Sequence, residues 1–229
     1  MARRITIPSE RLNRFARQDK KRKKDSRNKR KYYLIVCEGA ETEPNYFEGL
    51  KQDLPKGVLT SYQIDIAGTG RNTQSLVNEA IRLKSAYEND TSRPIDRLWV
   101  VFDRDSFAPE DFNGAIERCT NNDIGCAWSN EAFELWYLLH FQYYENAMSR
   151  RIYKQMIEGH LKPVLGNSFR YEKNSQQMYT LLKDHGSLEN AVRNAKRLAG
   201  LYEGRQDYAN HNPCTMVYRL IEELFALTD

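Results

Sequence analysis

The chain has 229 residues, 40% of them hydrophobic and 29% charged, a balance that excludes a wholly disordered protein and allows one large or two small cores. No window approaches the roughly 18 consecutive apolar residues of a membrane-spanning helix. The N-terminus has no apolar signal core, and the cysteines at 37, 119, 126 and 214 form no CxxC, so the expectation is a cytoplasmic protein without a zinc knuckle or disulfide framework.

The net charge of +4 conceals a division. Residues 1–31 hold fourteen Lys/Arg against three Asp/Glu, a local +11, which leaves −7 on the remainder. From Gln18 to Lys31 there is no apolar anchor at all. This stretch reads as a basic arm, either a solubilising tail or a non-specific contact for nucleic-acid phosphate. The acidic body, by contrast, concentrates carboxylates.

Order begins at Tyr32. The run Tyr32-Tyr33-Leu34-Ile35-Val36-Cys37 is apolar and rich in β-formers, as expected of a strand buried on both faces. It ends at Glu38-Gly39, and a helix starts at Thr42, the expected N-cap, with Glu43 and Pro44 in its first turn. A second strand is predicted over Tyr62–Ala67. Gly68-Thr69-Gly70-Arg71-Asn72 then turns into a helix over Thr73–Tyr87. The third strand, Arg97–Phe102, runs into Asp103-Arg104-Asp105. A helix over Asp111–Asn121 and a fourth strand over Ile124–Trp128 follow, and Ser129-Asn130 is expected to cap an aromatic helix from Glu131 to about Tyr144.

The β-α repetition over residues 32–145 predicts a layered α/β domain with a mostly parallel four-stranded sheet. Beyond Asn146 the strand signals stop. Helices are expected over Arg151–Leu161, Gln176–Lys183, Leu188–Leu201 and Pro213–Leu227. Residues 146–229 thus read as a helical extension packed on the domain, with a small appended domain left open.

In an open parallel sheet, ligands bind beyond the carboxyl ends of the strands. Glu38 stands at the end of the first strand, and Asp103 and Asp105 at the end of the third, two apart and so on one side, with Arg104 turned elsewhere. Three converging carboxylates repel one another unless a cation neutralises them. With no His or Cys nearby, the hard oxygen set calls for Mg²⁺ or Mn²⁺, an ion that serves phosphoryl chemistry. The plain alternative is that both motifs are turns. Haloacid-dehalogenase phosphatases place their DxD after the first strand, and receiver domains place their acidic pair early; neither order matches.

Two further readings complete the residue-level picture. The Gly68–Asn72 turn opens a helix whose free N–H groups and Arg71 suit a phosphate clamp, against a plain turn. His140, on the stripe Phe133-Trp136-Tyr137-His140-Tyr144, reads as a hydrogen-bonded core residue.

The pattern resembles the Toprim fold, whose motif is a strand ending in Glu-Gly followed by a later strand ending in Asp-x-Asp. More closely, the chain resembles the RloB-like family. The resemblance rests on Cys37-Glu38-Gly39 with Thr42–Phe47, Val101–Asp105, Ser129–Trp136 with His140-Phe141, and Asn212-Pro213-Cys214-Thr215. It implies a Toprim-like α/β domain and a nuclease effector of phage defence, encoded beside an AAA/ABC-type ATPase, acting on DNA or RNA, with no membrane and with homo-oligomerisation open.

Carried over, Glu38 is the general base or a metal ligand, and Asp103 and Asp105 are metal ligands. Glu134 joins the catalytic set, either partly buried and paired or turned into the site. Arg71, Arg104 and Asn130 are the substrate-binding candidates. The rival reading is a non-catalytic module that binds nucleic acid or a partner. Strand transfer through a tyrosine nucleophile finds no recognisable tyrosine.

Overall fold

The computed structural model describes residues 31–54, 62–68, 73–105 and 107–228. The basic stretch therefore lies, apart from Lys31, outside the described residues, and so does Arg71. Lys31–Asp229 form one compact unit.

Five strands make one sheet in the order β2-β1-β3-β4-β5. They are β1 (Lys31–Cys37), β2 (Tyr62–Gly68), β3 (Arg97–Asp103), β4 (Gly125–Asn130) and β5 (Cys214–Thr215). The first four run parallel, with Ile35 of β1 opposite Ile66 of β2 and Trp99 of β3. Tyr32–Cys37 and Leu98–Phe102 are buried throughout, because parallel strands are covered on both faces.

The connections are α1 (Thr42–Asp53), α2 (Thr73–Thr91) and α3 (Pro109–Asn121). Right-handed crossovers place α1 on one face, since it leads to a strand on one side of β1. They place α2 and α3 on the other, where the two helices pack together. A short helix, α4 (Glu134–Leu139), joins α1 through an aromatic cluster. Tyr46 stands edge-on to Phe47, Phe133 and Trp136 at centroid distances of 5.4, 5.7 and 6.5 Å. These rings are fully buried, each contributing about 1.5–3 kcal/mol of apolar burial. The cluster fixes the start of α4 beneath the carboxyl ends of β1 and β3.

The remaining helices are α5 (Arg150–Leu165), α6 (Met178–His185), α7 (Leu188–Gly200) and α8 (Val217–Phe225). α5 and α7 pack on α4, α6 packs on α1, and α8 packs on β4. The α1–α6 approach needs Gly49, where a Cβ would stand 2.7 Å from that of Tyr179. Ser187 caps α7 by accepting the Asn190 backbone N–H at 3.1 Å. Ser187→Ala is expected to lower stability by about 1 kcal/mol, readable in a denaturant melt.

Four sequence expectations are corrected here. Thr42 is not the N-cap of α1; Glu41 holds that position, and the Thr42 hydroxyl donates to the Lys173 carbonyl at 3.1 Å. Ser129-Asn130 does not cap a helix but ends β4, paired to Thr215 and Cys214 of an antiparallel β5. That strand lies where a helix was expected, its two residues being too few to show a period. The aromatic helix is also shorter than Glu131–Tyr144. Its C-terminal carbonyls are claimed by other segments: Asn194 donates to Leu139 O at 3.0 Å and the Ser187 N–H to His140 O at 3.0 Å. Among the described residues no helix is long and apolar enough to cross a membrane.

Candidate active site

The chain leaves β1 toward β2 and leaves β3 toward β4, so the strand order reverses between β1 and β3. This switch point is where open α/β sheets form a crevice. A cleft of about 310 Å³ opens there, lined by Glu38, Glu41, Glu43, Asp103, Asp105 and Glu134, with Arg150 and Lys173 as its cations.

Glu38 extends β1 by one further bond, its N–H donating to Val101 O at 2.9 Å. Its carboxylate reaches across the switch point and accepts the Asp103 N–H at 3.1 Å. Asp103 is the last residue of β3. Its carboxyl takes the Phe133 backbone N–H, yet Oδ1 is buried with no hydrogen-bond partner. Such an orphaned oxygen costs free energy unless something else meets it.

Asp105 sits in the turn after β3 at φ +41° and is exposed. Its N–H donates to Glu131 O at 3.1 Å, and its carboxylate pairs with Arg150. Glu43, in the first turn of α1, folds back over Gly39 and is only 5% exposed. A Cβ on Gly39 would meet that carboxylate and oblige the Glu43 side chain to shift. Glu134 opens α4, buried, accepting the Tyr171 hydroxyl at 3.0 Å with Lys173 Nζ at 3.6 Å.

Crowding the acids changes their proton affinity. Burial, reinforced by Glu43 and Asp105, pushes the Glu38 carboxyl from 4.5 up to about 7, despite the opposing Asp103 N–H and Arg150. Burial likewise pushes Glu43 up to about 7, with Glu134 adding repulsion and Lys173 opposing it. Asp103 is raised well above the usual carboxylate range by burial and by the fields of Glu43, Glu134 and Glu38. Among the described residues no three of these groups already stand in chelating geometry. Each leans instead toward its own donor, as mutually repelling carboxylates do. The donor set is nevertheless all hard oxygen, and the buried Asp103 Oδ1 is an acceptor with no hydrogen-bond partner. The residues therefore fit Mg²⁺ or Mn²⁺ rather than zinc.

A family model described as RloB-like protein matches residues 33–224. The chain belongs to the RloB-like family. No curated protein and no solved structure matches it.

In this RloB-like chain the structure brings Glu38, Asp103, Asp105 and Glu134 to one cleft, where Glu134 is buried and paired with Tyr171 and Lys173. Two substrate-binding candidates lie elsewhere. The Asn130 carboxamide is buried, donating to Ala209 O at 3.0 Å, because residue 130 belongs to the strand rather than to a helix cap. Arg104 turns away from the cleft, its Nη1 donating to Asp105 O at 3.2 Å. His140 is a core residue, its Nδ1 at 2.9 Å from Trp136 O, and burial lowers its pKa to about 4.

Arg150, Lys173 and Tyr171 were missed by sequence reasoning. One signal existed: Arg150-Arg151 open α5 with no acid in the first turn, against the preference of a helix N-terminus for negative charge.

A larger cavity of about 920 Å³ lies along β4 and shares no lining residue with the cleft. Its Arg97 is spent on Glu223 and its Arg205 on Asp207. Size favours that cavity, but convergent titrating groups favour the acidic cleft.

Proposed function

We propose that this RloB-like protein is a divalent-metal-dependent nuclease that hydrolyses phosphodiester bonds of DNA or RNA. The observation that carries the reading is the meeting of Glu38, Glu43, Asp103 and Glu134 at the sheet's switch point, with Asp103 Oδ1 buried and unpartnered. Asp103 and Asp105 would hold Mg²⁺ or Mn²⁺, with Glu38 as a further ligand or the general base and Glu43 and Glu134 within the same wall. When bound, the ion would neutralise the acids and polarise the scissile phosphate.

The chain's own part is to place groups and to accept a proton. Where it is not itself a ligand, Glu38 would accept the proton of an attacking water from its place at the end of β1, beside Asp103. Glu134, held by Tyr171 and Lys173, keeps a fixed carboxylate at the cleft wall. A role in phage defence beside an AAA/ABC-type ATPase follows the family's reading and is part of the proposal, as is nucleic-acid contact by the basic arm.

The test is cleavage of plasmid DNA and of structured RNA by the purified full chain. Mn²⁺ is expected to support cleavage and EDTA to abolish it. Cleavage undiminished by EDTA removes the proposal.

A further inference from the structure

Both cations of the acidic cleft come from the helical part of the chain. Lys173 is loosely held: it is more than half exposed, and its Nζ stands 3.6 Å from Glu134. Arg150 is placed more firmly. Its backbone N–H donates to Glu131 Oε2 at 2.9 Å, and its guanidinium meets the Asp105 carboxylate.

Nothing in α5 itself asks for this residue. A cation in the first turn opposes the helix dipole, and Ser149 already caps the helix by accepting the Arg151 N–H. The attraction lies across the cleft, where the fields of Asp105, Asp103 and Glu134 all favour a charge at Arg150. The pair is also open to solvent, with 37% of the Arg150 side chain and 40% of the Asp105 side chain exposed. Exposed pairs contribute little net free energy, so a competing partner displaces one readily.

Two competitors have the right chemistry. A hard divalent cation seeks the same Asp105 oxygens, and a phosphodiester offers the guanidinium fork a two-pronged anion. We propose that Arg150 is the exchangeable counter-ion of the cleft: it competes with a divalent cation for Asp105, and its freed guanidinium binds the substrate phosphate. The inference rests on the nuclease reading and adds a substrate-binding residue to it.

The test separates charge from shape. Mn²⁺ is titrated calorimetrically into the full chain, and binding of a short phosphorothioate oligonucleotide is followed by fluorescence anisotropy in Mn²⁺. Removing the competitor in Arg150→Gln is expected to tighten Mn²⁺ binding about tenfold and to weaken the oligonucleotide about tenfold. Arg150→Lys keeps the charge and loses the fork, so its Mn²⁺ affinity should stay near wild type while oligonucleotide binding falls. Circular dichroism melts establish that both variants are folded. Equal Mn²⁺ affinity in wild type and Arg150→Gln overturns the exchange and leaves the nuclease reading standing. A wild-type chain that binds no Mn²⁺ overturns both.

Discussion

Asp103→Asn is expected to reduce Mn²⁺-dependent cleavage by about a thousandfold or more while leaving the protein as stable as wild type, or more so. The two effects share one cause. Asp103 ends a buried strand, its Oδ1 has no partner, and burial together with Glu43, Glu134 and Glu38 opposes its ionisation. A carboxylate so placed is costly to the fold and useful to a cation. An amide is nearly isosteric but carries no charge, so it relieves the repulsion and forfeits the ligand. The measurement is a pair: cleavage rate in Mn²⁺, and melting temperature in EDTA at pH 8. A variant that keeps wild-type activity, or one that melts far below wild type, contradicts this account.

The second large effect is a pH-dependent gap between wild type and Glu43→Gln. Burial raises the Glu43 carboxyl from 4.5 to about 7 in the folded protein, so the folded state holds the proton more tightly than the unfolded chain. Its stabilising contribution is complete below pH 4.5 and is lost as pH rises through about 7. Converted at 1.36 kcal/mol per pH unit, the loss is about 3 kcal/mol. Glutamine does not titrate and escapes it. In EDTA the variant should therefore gain on wild type between pH 5 and pH 8, by roughly 6–12 °C in melting temperature for a chain of this size.

The difference between the two proteins is the informative quantity. His140 works in the opposite direction, because its pKa is lowered to about 4 and its burial costs stability as pH falls below 6.5. That cost is common to both chains and cancels. A gap that does not change with pH would show that Glu43 is ionised throughout and that the cleft is wetter than its geometry implies.

Much of this arrangement was legible in the chain. β1 and β3 announced themselves as apolar runs, because strands covered on both faces need no alternation. Glu38, Asp103 and Asp105 were legible for a related reason: in βα repeats the position of a residue at a strand's end is also its position at the ligand edge. What sequence could not show was pairing. β5 exists only because Cys214 and Thr215 meet Asn130 and Ser129, and two residues carry no period.

Asn130 stands away from the cleft for the same kind of reason. Asn130 reads as a cap only if β4 stops at Trp128, yet the Ser129 and Thr215 hydroxyls, 2.9 Å apart, prolong the strand. Arg150 and Lys173 were hidden because they reach the cleft from far along the chain, through contacts such as that of the Thr42 hydroxyl with Lys173 O. Long-range partners of this kind leave no local pattern.

The tyrosine that closes on Glu134 has a practical corollary. A fragment ending at residue 145 would retain Glu38, Asp103, Asp105 and Glu134 but lose Tyr171, Arg150 and Lys173, leaving one side of the pocket unwalled and a buried glutamate without its hydroxyl donor. Minimal versions harvested from the first half alone, or chimaeras that graft that half onto a foreign helical partner, would thus start with an unfinished centre. Whatever is transplanted has to travel as a single piece.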